Sequence, residues 1–277
     1  MRIRKALFVL PNLFTVSSIF CGFYAITQCA AGDSRPDRYT QAAFAILFAI
    51  FFDAFDGRVA RLTRTQSEFG TQLDSLADVI SFGVAPALLL YKWALEPLGF
   101  WGLFLSFAFS ACGAMRLARF NVLAQRHPTA LAFFVGLPIP LAAGMVIALV
   151  LLNGRHAPTV SAAAMVPVIL GLSYLMVSNV RYRTFKETHL SRRKGAILLV
   201  LAGVALVGGL LVQPAVAFFA AVTGYILLGI AEGGFLLNRR RIERRQRRRL
   251  ARRKKAGLGA HGPDGDDDEV EDIETFA

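Results

Sequence analysis

Four aspartates flank one connection of the chain, and their spacing could place them in a single cation-binding site. Asp53 and Asp56 are three residues apart near the end of one apolar segment, and Asp74 and Asp78 are four residues apart at the start of the next. On a helix, residues three or four apart lie on the same face. Each pair therefore presents two carboxylates in one direction, and the two segments aim all four at one place.

This cluster predicts a site for divalent cations. Four like charges repel one another strongly unless cations lie among them. Carboxylate oxygens without nearby cysteine or histidine are typical ligands of Mg²⁺ or Mn²⁺. Two such ions suit phosphoryl transfer, because they can clamp a diphosphate and stabilise the charge on its leaving group. Gly57 and Ala60 leave room for a large group, and Arg61 and Arg64 offer phosphate contacts.

The remainder of the chain predicts a helical membrane protein that positions these residues. Of the 277 residues, 55% are hydrophobic and 18% are charged, and the mean hydropathy is +0.49. Apolar stretches of about 20 residues, the length that crosses a bilayer core of about 30 Å, recur along the chain. They lack the alternation of barrel strands. We predict an all-α fold with eight transmembrane helices, at residues 8–31, 40–61, 71–92, 98–118, 130–152, 159–180, 195–212 and 214–237.

The distribution of basic residues predicts the orientation in the membrane. All Lys and Arg except Arg35, Arg38, Lys92 and Arg155 fall in the N-terminus, residues 56–70, 116–128 and 181–194, or the C-terminal tail. Basic residues concentrate on the cytoplasmic side. We therefore expect a multi-pass protein of the cell membrane, here a bacterial inner membrane, with both termini and the aspartates on the cytoplasmic side.

The C-terminal part changes composition twice, which predicts three regions. Residues 1–238 would form a transmembrane catalytic domain, 239–255 a basic juxtamembrane segment and 256–277 an acidic disordered tail. The basic segment would be attracted to anionic lipid headgroups, at about 1 kcal/mol per residue. It has no interleaved aromatic residues for base stacking, so we expect no nucleic-acid partner.

The aspartates belong to a longer motif with eight fixed positions over 26 residues, Asp53-x2-Asp56-Gly57-x2-Ala60-Arg61-x8-Gly70-x3-Asp74-x3-Asp78. In this motif the chain resembles the CDP-alcohol phosphatidyltransferases, with no departure at any fixed position. The resemblance extends over roughly residues 10–190, through PNLFT (11–15), FDGRVARLT (55–63), LDSLADVISFGVAPA (73–87), RLARFN (116–121), GLPIP (136–140) and RYRTFK (181–186). It implies a helical membrane enzyme, with two divalent ions per site and a homodimeric assembly.

The resemblance also implies a role for individual residues. Asp53, Asp56 and Asp74 would bind the metal ions, and Asp78 would complete the second metal site and act as the general base toward the acceptor hydroxyl. Gly57, Arg61 and Ser67 would contact the CDP-activated donor lipid, and Gly70, which would allow tight entry into the third span, is grouped with them. Asn12 and Thr15 are candidates because of their place near the mouth of the first span, which makes six predicted donor contacts. For Asn12 and Thr15 a capping or packing role is equally open.

Around the motif, the chain resembles the branch of this family that joins CDP-diacylglycerol and L-serine. Serine carries a carboxylate, which two arginines three residues apart could bind together. Arg116, Arg119 and Asn121, at the predicted cytoplasmic end of the fourth span, are the candidates for this contact. They are equally suited to anchor the protein at the level of the lipid headgroups.

Other interpretations stay open at this point. The same chemistry could use glycerol phosphate, inositol phosphate or choline as acceptor, or an archaeal-type lipid as donor. A divalent-cation transporter would place its aspartates near the bilayer midplane, whereas these are predicted at one edge. A scaffold acting through its charged tail would lose function without residues 239–277, whereas the enzyme would keep most of its activity.

Overall fold

The computed structural model describes residues 2–31, 36–63, 65, 67–126, 133–153, 161–178, 181–183 and 213–230. These residues form eight α-helices: α1 (Arg2–Ala30), α2 (Pro36–Thr63), α3 (Glu68–Asp78), α4 (Ala85–Leu90), α5 (Phe100–Arg126), α6 (Ile139–Asn153), α7 (Ala162–Val177) and α8 (Pro214–Ile230). A π-helical turn, Val79–Val84, joins α3 to α4, and α4 is followed by a second π turn, Tyr91–Leu95, and a 3₁₀ turn, Glu96–Leu98. Two short strands, β1 (Phe133–Val135) and β2 (Arg181–Arg183), pair antiparallel.

The described residues are mainly helical, which confirms the predicted helical class. The antiparallel pair of strands β1 and β2 was not predicted. Within the described residues, three helical stretches are long and apolar enough to cross a membrane, namely Pro11–Ala30, Glu68–Leu98 and Phe100–Ala124. Shorter apolar helices follow at Ile139–Asn153, Ala162–Val177 and Pro214–Ile230. The length and hydropathy of these helices support the prediction that this is a membrane protein. The predicted seventh span at 195–212 and the segments 239–255 and 256–277 lie outside the described residues.

The fifth predicted span starts later than its apolar pattern indicated. It was predicted over 130–152, but α6 begins at Ile139, and residues 133–135 pair with β2 instead. Gly136 follows β1 with φ +83°, a backbone conformation that favours glycine. Pro138 and Pro140 stand at the start of the helix rather than at a kink inside it. A proline is tolerated in the first helical turn because its missing N–H would have no intrahelical partner there.

The helical run that carries Asp74 and Asp78 changes its geometry directly after Asp78. That residue ends α3, and the π turn Val79–Val84 begins at the next position. Ser81, Phe82 and Gly83 within this turn are all buried. Single π turns inside α-helices occur frequently at functional sites.

Helix α1 packs against both helices that carry the aspartates. Small residues let helices approach closely, and both helices carry buried alanines, namely Ala25 on α1 and Ala42, Ala43, Ala45 and Ala49 on α2. Toward the π turn, the Ser81 hydroxyl donates to the carbonyl of Ser18 over 2.9 Å. A Cβ added at Gly22 would lie 2.8 Å from the Cα of Ser81. Small residues of α1 therefore fix the positions of α2 and α3.

We expect Gly22→Ala to destabilise the protein, because the new methyl group would also lie 2.7 Å from Oγ of Ser81. Overpacking of this kind typically costs about 1–3 kcal/mol. Gly171→Ala on α7 is the matched control, since nothing lies within 4 Å of its added Cβ. The measurement is the melting temperature of each purified variant in detergent. Equal melting temperatures for the two variants would contradict the close approach of α1 to the π turn.

Candidate active site

Three of the predicted metal ligands meet where α1, α2 and α3 come together. Asp53 and Asp56 on α2 and Asp74 on α3 each offer a carboxylate oxygen, and these oxygens lie within 4.8 Å of one another. Asp56 is buried, and the hydroxyl of Thr15 on α1 donates to its Oδ2 over 2.9 Å. The acidic ends of α2 and α3 thus converge, and α1 supplies a hydrogen bond to their cluster.

The fourth aspartate, Asp78, lies beside this cluster, one helical turn beyond Asp74. Its charge interacts with those of Asp53 and Asp74 and with that of Arg116 on α5. Its Oδ1 is buried and has no hydrogen-bond partner among the described residues. It is not one of the three carboxylates whose oxygens lie within 4.8 Å of one another. The predicted group of four is therefore a close group of three with a neighbouring, half-buried carboxylate.

The cluster has the composition that a hard divalent cation requires. All its ligand atoms are carboxylate oxygens, which Mg²⁺ and Mn²⁺ prefer over softer donors. Carboxylates this close repel one another unless a cation or protons reduce their charge. The unpartnered Oδ1 of Asp78 gives a further oxygen at the edge of the same cluster. The residues present thus fit the predicted metal ions.

A cavity of about 520 Å³ opens beside the cluster and includes Asp56 and Asp74 in its lining. It is also lined by all six residues that were predicted to contact the donor: Asn12, Thr15, Gly57, Arg61, Ser67 and Gly70. The other lining residues are Pro11, Ala60, Thr65, Thr71 and Phe120. Arg64, a further predicted phosphate contact, lies outside the described residues. The structure therefore brings the predicted donor contacts together around one cavity.

Local sequence explains the shape of this cavity. Ser67 is the N-cap of α3, and its Oγ accepts the N–H of Gly70 over 3.0 Å. Gly70 keeps this corner compact, since an added Cβ would lie 3.1 Å from Oγ of Ser67 and 3.5 Å from Oδ1 of Asn12. Gly57 has nothing within 4 Å of such a Cβ and leaves open space. The start of α3 faces the cavity, and a helix N-terminus favours an anionic group.

The three predicted acceptor contacts on α5 have different surroundings. Arg116 is 7% exposed, and its Nε has no hydrogen-bond partner within the described part of the chain. Arg119 is exposed, and its Nη1 donates to the carbonyl of Val177 on α7 over 3.2 Å. Of these two arginines, Arg116 is the one whose charge interacts with Asp78. The expectation that both would grip one carboxylate receives no support from these contacts.

Asn121, the third predicted acceptor contact, has its own neighbour on α3. Its Nδ2 donates to Oγ of Ser75 over 2.9 Å. This bond attaches α5 to α3 one residue after Asp74. Asn121 therefore has a structural partner that fixes where α5 passes the carboxylate cluster.

Four cavity residues were not singled out from the sequence, namely Pro11, Thr65, Thr71 and Phe120. Phe120 lies within the RLARFN phrase, and its spacing of four from Arg116 places both on one face of α5. That spacing from Arg116 could have identified Phe120 as a site residue from the sequence. Thr65 stands in the connection after α2, where its hydroxyl lies 2.7 Å from that of Thr63, and no periodicity marks such a position.

The acidic motif on two adjoining helices and the cavity beside it indicate the class of membrane enzyme to which this chain belongs. Residues 8–177 match the CDP-alcohol phosphatidyltransferase family, and the chain belongs to that family. It is similar to proteins named CDP-diacylglycerol–serine O-phosphatidyltransferase. One from Helicobacter pylori is 38% identical over 235 residues, which cover 83% of this chain and 93% of that protein. One from Bacillus subtilis is 38% identical over 181 residues, covering 64% and 92%.

The likeness extends to archaea. A protein of the same name from Methanocaldococcus jannaschii is 40% identical over 137 residues, which cover 50% of this chain and 61% of that protein. The family predicted from the motif is therefore confirmed.

We expect Asp56→Asn to weaken binding of Mn²⁺ by about tenfold or more, since even indirect neighbours of a metal ligand change affinity by 10–100-fold. Asp37→Asn is the matched control, because Asp37 is an exposed residue in the first turn of the same helix, about 28 Å away at 1.5 Å per residue. The measurement is the signal of free Mn²⁺ in electron paramagnetic resonance, on purified protein without substrate. Equal affinities in the two variants would argue against a metal site at this cluster.

Proposed function

We propose that this protein transfers a phosphatidyl group from CDP-diacylglycerol to L-serine, giving phosphatidylserine and CMP. The observation that carries this proposal is the convergence of three carboxylates beside a cavity lined by all six predicted donor contacts. Membership of the CDP-alcohol phosphatidyltransferase family supports the reaction class. The names of the relatives from Helicobacter pylori and Bacillus subtilis support serine as the acceptor.

The donor would occupy the cavity with its diphosphate toward the carboxylates. A volume of about 520 Å³ falls within the range of about 300–1,000 Å³ that is usual for small-molecule sites. Gly57 leaves the space in which the CDP group can approach the backbone of α2. Arg61 is exposed beside that space and lines the cavity, so its guanidinium can contact a phosphate.

The four aspartates would hold two Mg²⁺ or Mn²⁺ ions, with Asp53, Asp56 and Asp74 as the main ligands and Asp78 at the edge. Bound there, these ions would neutralise the diphosphate and stabilise the negative charge that the departing CMP acquires. The protein contributes the positions of the ligands, because Thr15 holds Asp56 through a hydrogen bond.

Asp78 would take the proton of the serine hydroxyl. The hydroxyl oxygen attacks the phosphorus that bears the diacylglycerol, and a new P–O bond forms. The bond from this phosphorus to the CMP oxygen breaks, and CMP leaves with the electron pair. The proton passes to the carboxylate of Asp78, whose buried Oδ1 has no partner among the described residues. A positioned general base of this kind contributes about 10²–10⁴-fold to a rate.

Arg116 would bind the carboxylate of serine. Its guanidinium is buried, and its charge interacts with that of Asp78. A zwitterionic acceptor can place its carboxylate at Arg116 and its hydroxyl at Asp78. Arg119 and Asn121 would act indirectly, by fixing the position of α5. Arg119 bonds to the carbonyl of Val177 on α7, and Asn121 bonds to the side chain of Ser75 on α3.

We further propose eight spans with both termini cytoplasmic in the cell membrane, and a homodimer. The placement of basic residues supports this orientation. Residues 1–238 would form the catalytic domain. The basic segment 239–255, outside the described residues, would contact anionic lipid headgroups.

The reaction is tested by incubating the purified protein with CDP-diacylglycerol, Mn²⁺ and one acceptor at a time while CMP release is followed. We expect release with L-serine and formation of phosphatidylserine, and no release after chelation of the metal. Glycerol phosphate, inositol phosphate and choline are the comparison acceptors. CMP release with glycerol phosphate but not with serine would show that serine is not the acceptor, whereas the proposed reaction class would still hold.

Asp78 and Arg116 should affect different kinetic parameters. Asp78→Asn should lower kcat by about 10²–10⁴-fold, since it removes the base. Arg116→Gln should raise KM for serine at least about tenfold, because a hydrogen bond to a charged group contributes roughly 1.5–3 kcal/mol. Steady-state kinetics with serine varied measures both effects.

Lys92→Gln is the control for loss of a cation, since Lys92 forms an exposed ion pair with Glu96 of a kind that contributes little. Retained catalysis in Asp78→Asn would remove Asp78 as the base.

A further inference from the structure

Phe120 on α5 connects the donor cavity to Arg116. It lines this cavity, whose other lining residues come from α1, α2, α3 and the connection between α2 and α3. The centre of its ring lies 5.5 Å from the guanidinium carbon of Arg116. A guanidinium within about 6 Å of a ring centre is attracted to the face of the ring. One side chain therefore contacts both the space for the donor and the cation proposed for the acceptor.

Arg116 depends on such a contact because it is a buried cation. It is 7% exposed, and its Nε lacks a hydrogen-bond partner among the residues that the structure describes. Its charge acts on Asp78, yet Oδ1 of Asp78 likewise lacks a hydrogen-bond partner in that part of the chain. A buried charge is costly unless other groups stabilise it. The ring of Phe120 provides one such stabilising contact and limits where the guanidinium can lie.

The backbone that carries Phe120 is fixed on both sides of the ring. Arg119, the preceding residue, donates to the carbonyl of Val177 on α7. Asn121, the following residue, donates to Ser75 on α3. With α5 held between these two helices, the ring has a defined position relative to Arg116 and the cavity. Phe120 is therefore held by contacts of its neighbours, as a side chain that positions another residue, here Arg116, must be.

We propose that Phe120 is a positioning residue for the acceptor: its ring holds the guanidinium of Arg116 between the donor cavity and Asp78, and so determines selection of an alcohol that carries a carboxylate. This inference rests on the proposed function, because it assigns the acceptor carboxylate to Arg116. Phe120 itself makes no bond to the acceptor. It acts by keeping the cation where the carboxylate must lie when the hydroxyl reaches Asp78.

The test compares Phe120→Leu with Phe120→Tyr, and uses Phe107→Leu on the exposed face of the same helix as control. Phe120→Leu should raise KM for serine about tenfold, the change expected for loss of a desolvated cation–π contact. Its KM for serine should rise by a larger factor than its kcat at saturating serine falls or its KM for CDP-diacylglycerol rises, since the ring also lines the donor cavity. Phe120→Tyr keeps the aromatic face and should restore the KM for serine. Phe107→Leu should match the wild type in all three values.

A double-mutant cycle separates a role through Arg116 from a direct role of the ring. Because Phe120 acts through Arg116, Phe120→Leu should raise KM for serine much less in an Arg116→Gln background, which lacks the cation, than in the wild type. Independent effects of the two substitutions would overturn the inference. A raised KM for CDP-diacylglycerol with an unchanged KM for serine would also overturn it, since the ring would then serve the donor.

Folding and the underlying reaction are controlled separately. Melting temperature and binding of CDP, followed by thermal shift, show whether each Phe120 variant retains its fold and donor cavity. If Phe120→Leu fails to fold, the comparison of Phe120→Tyr with Phe120→Met decides in the same way. A wild-type protein that releases no CMP with serine overturns the proposed function. A serine-active wild type whose KM for serine is indifferent to both Phe120→Leu and Phe120→Met overturns only this inference.

Discussion

The structure depends on holding like charges together at the ends of two helices. Oxygens of Asp53, Asp56 and Asp74 lie within 4.8 Å of one another, and charges at this separation repel by several kcal/mol at an effective dielectric constant near 20. Packing around the cluster must oppose this repulsion wherever a cation or protons do not reduce the charge. Helix α1 supplies that packing through Thr15, which donates to Asp56, and through Gly22, which allows close contact with the π turn after Asp78.

The same constraint divides the site between two groups of helices. The donor cavity is lined by α1, α2 and α3 together with Phe120 from α5. The groups proposed for the acceptor, Arg116 and Phe120, lie on α5. Transfer between two substrates requires reacting atoms within about 3–3.5 Å and aligned, so these two groups of helices must keep a fixed relation. The bond from Asn121 to Ser75 contributes to it, because Ser75 adjoins Asp74 on α3.

Sequence reasoning predicted this site better than it predicted the membrane architecture. The spacing of the aspartates predicted their convergence because helical periodicity is local and the connection between α2 and α3 is short. The motif likewise predicted donor contacts that share one cavity. The start of α6 was missed because GLPIP is apolar throughout, and hydropathy alone does not separate a turn with Gly136 from the first residues of a span. The π turn after Asp78 leaves no compositional signal, since its residues are as apolar as those of an α-helix.

The two arginines on α5 show where local spacing stops being informative. Arg116 and Arg119 are three residues apart and share a helical face, so periodicity treats them alike. Their roles differ because of tertiary neighbours: α7 offers Arg119 the carbonyl of Val177, whereas Arg116 is enclosed near Asp78. Only packing between distant segments makes that distinction.

The surroundings of Arg116 and Asp78 also bear on how the site selects its acceptor. Each side chain has a buried polar atom without a hydrogen-bond partner among the described residues, and a buried polar group left unpaired costs about 1–3 kcal/mol. On the proposed reaction, serine satisfies both groups at once through its carboxylate and hydroxyl, whereas an alcohol without a carboxylate leaves Nε of Arg116 without a partner among the described residues. Sites built to pair with a specific polar group reject analogues that lack it far more strongly than apolar pockets reject a missing methylene. Discrimination would thus arise from this one unpaired donor of Arg116, which makes the position of Arg116 as important to acceptor choice as its charge.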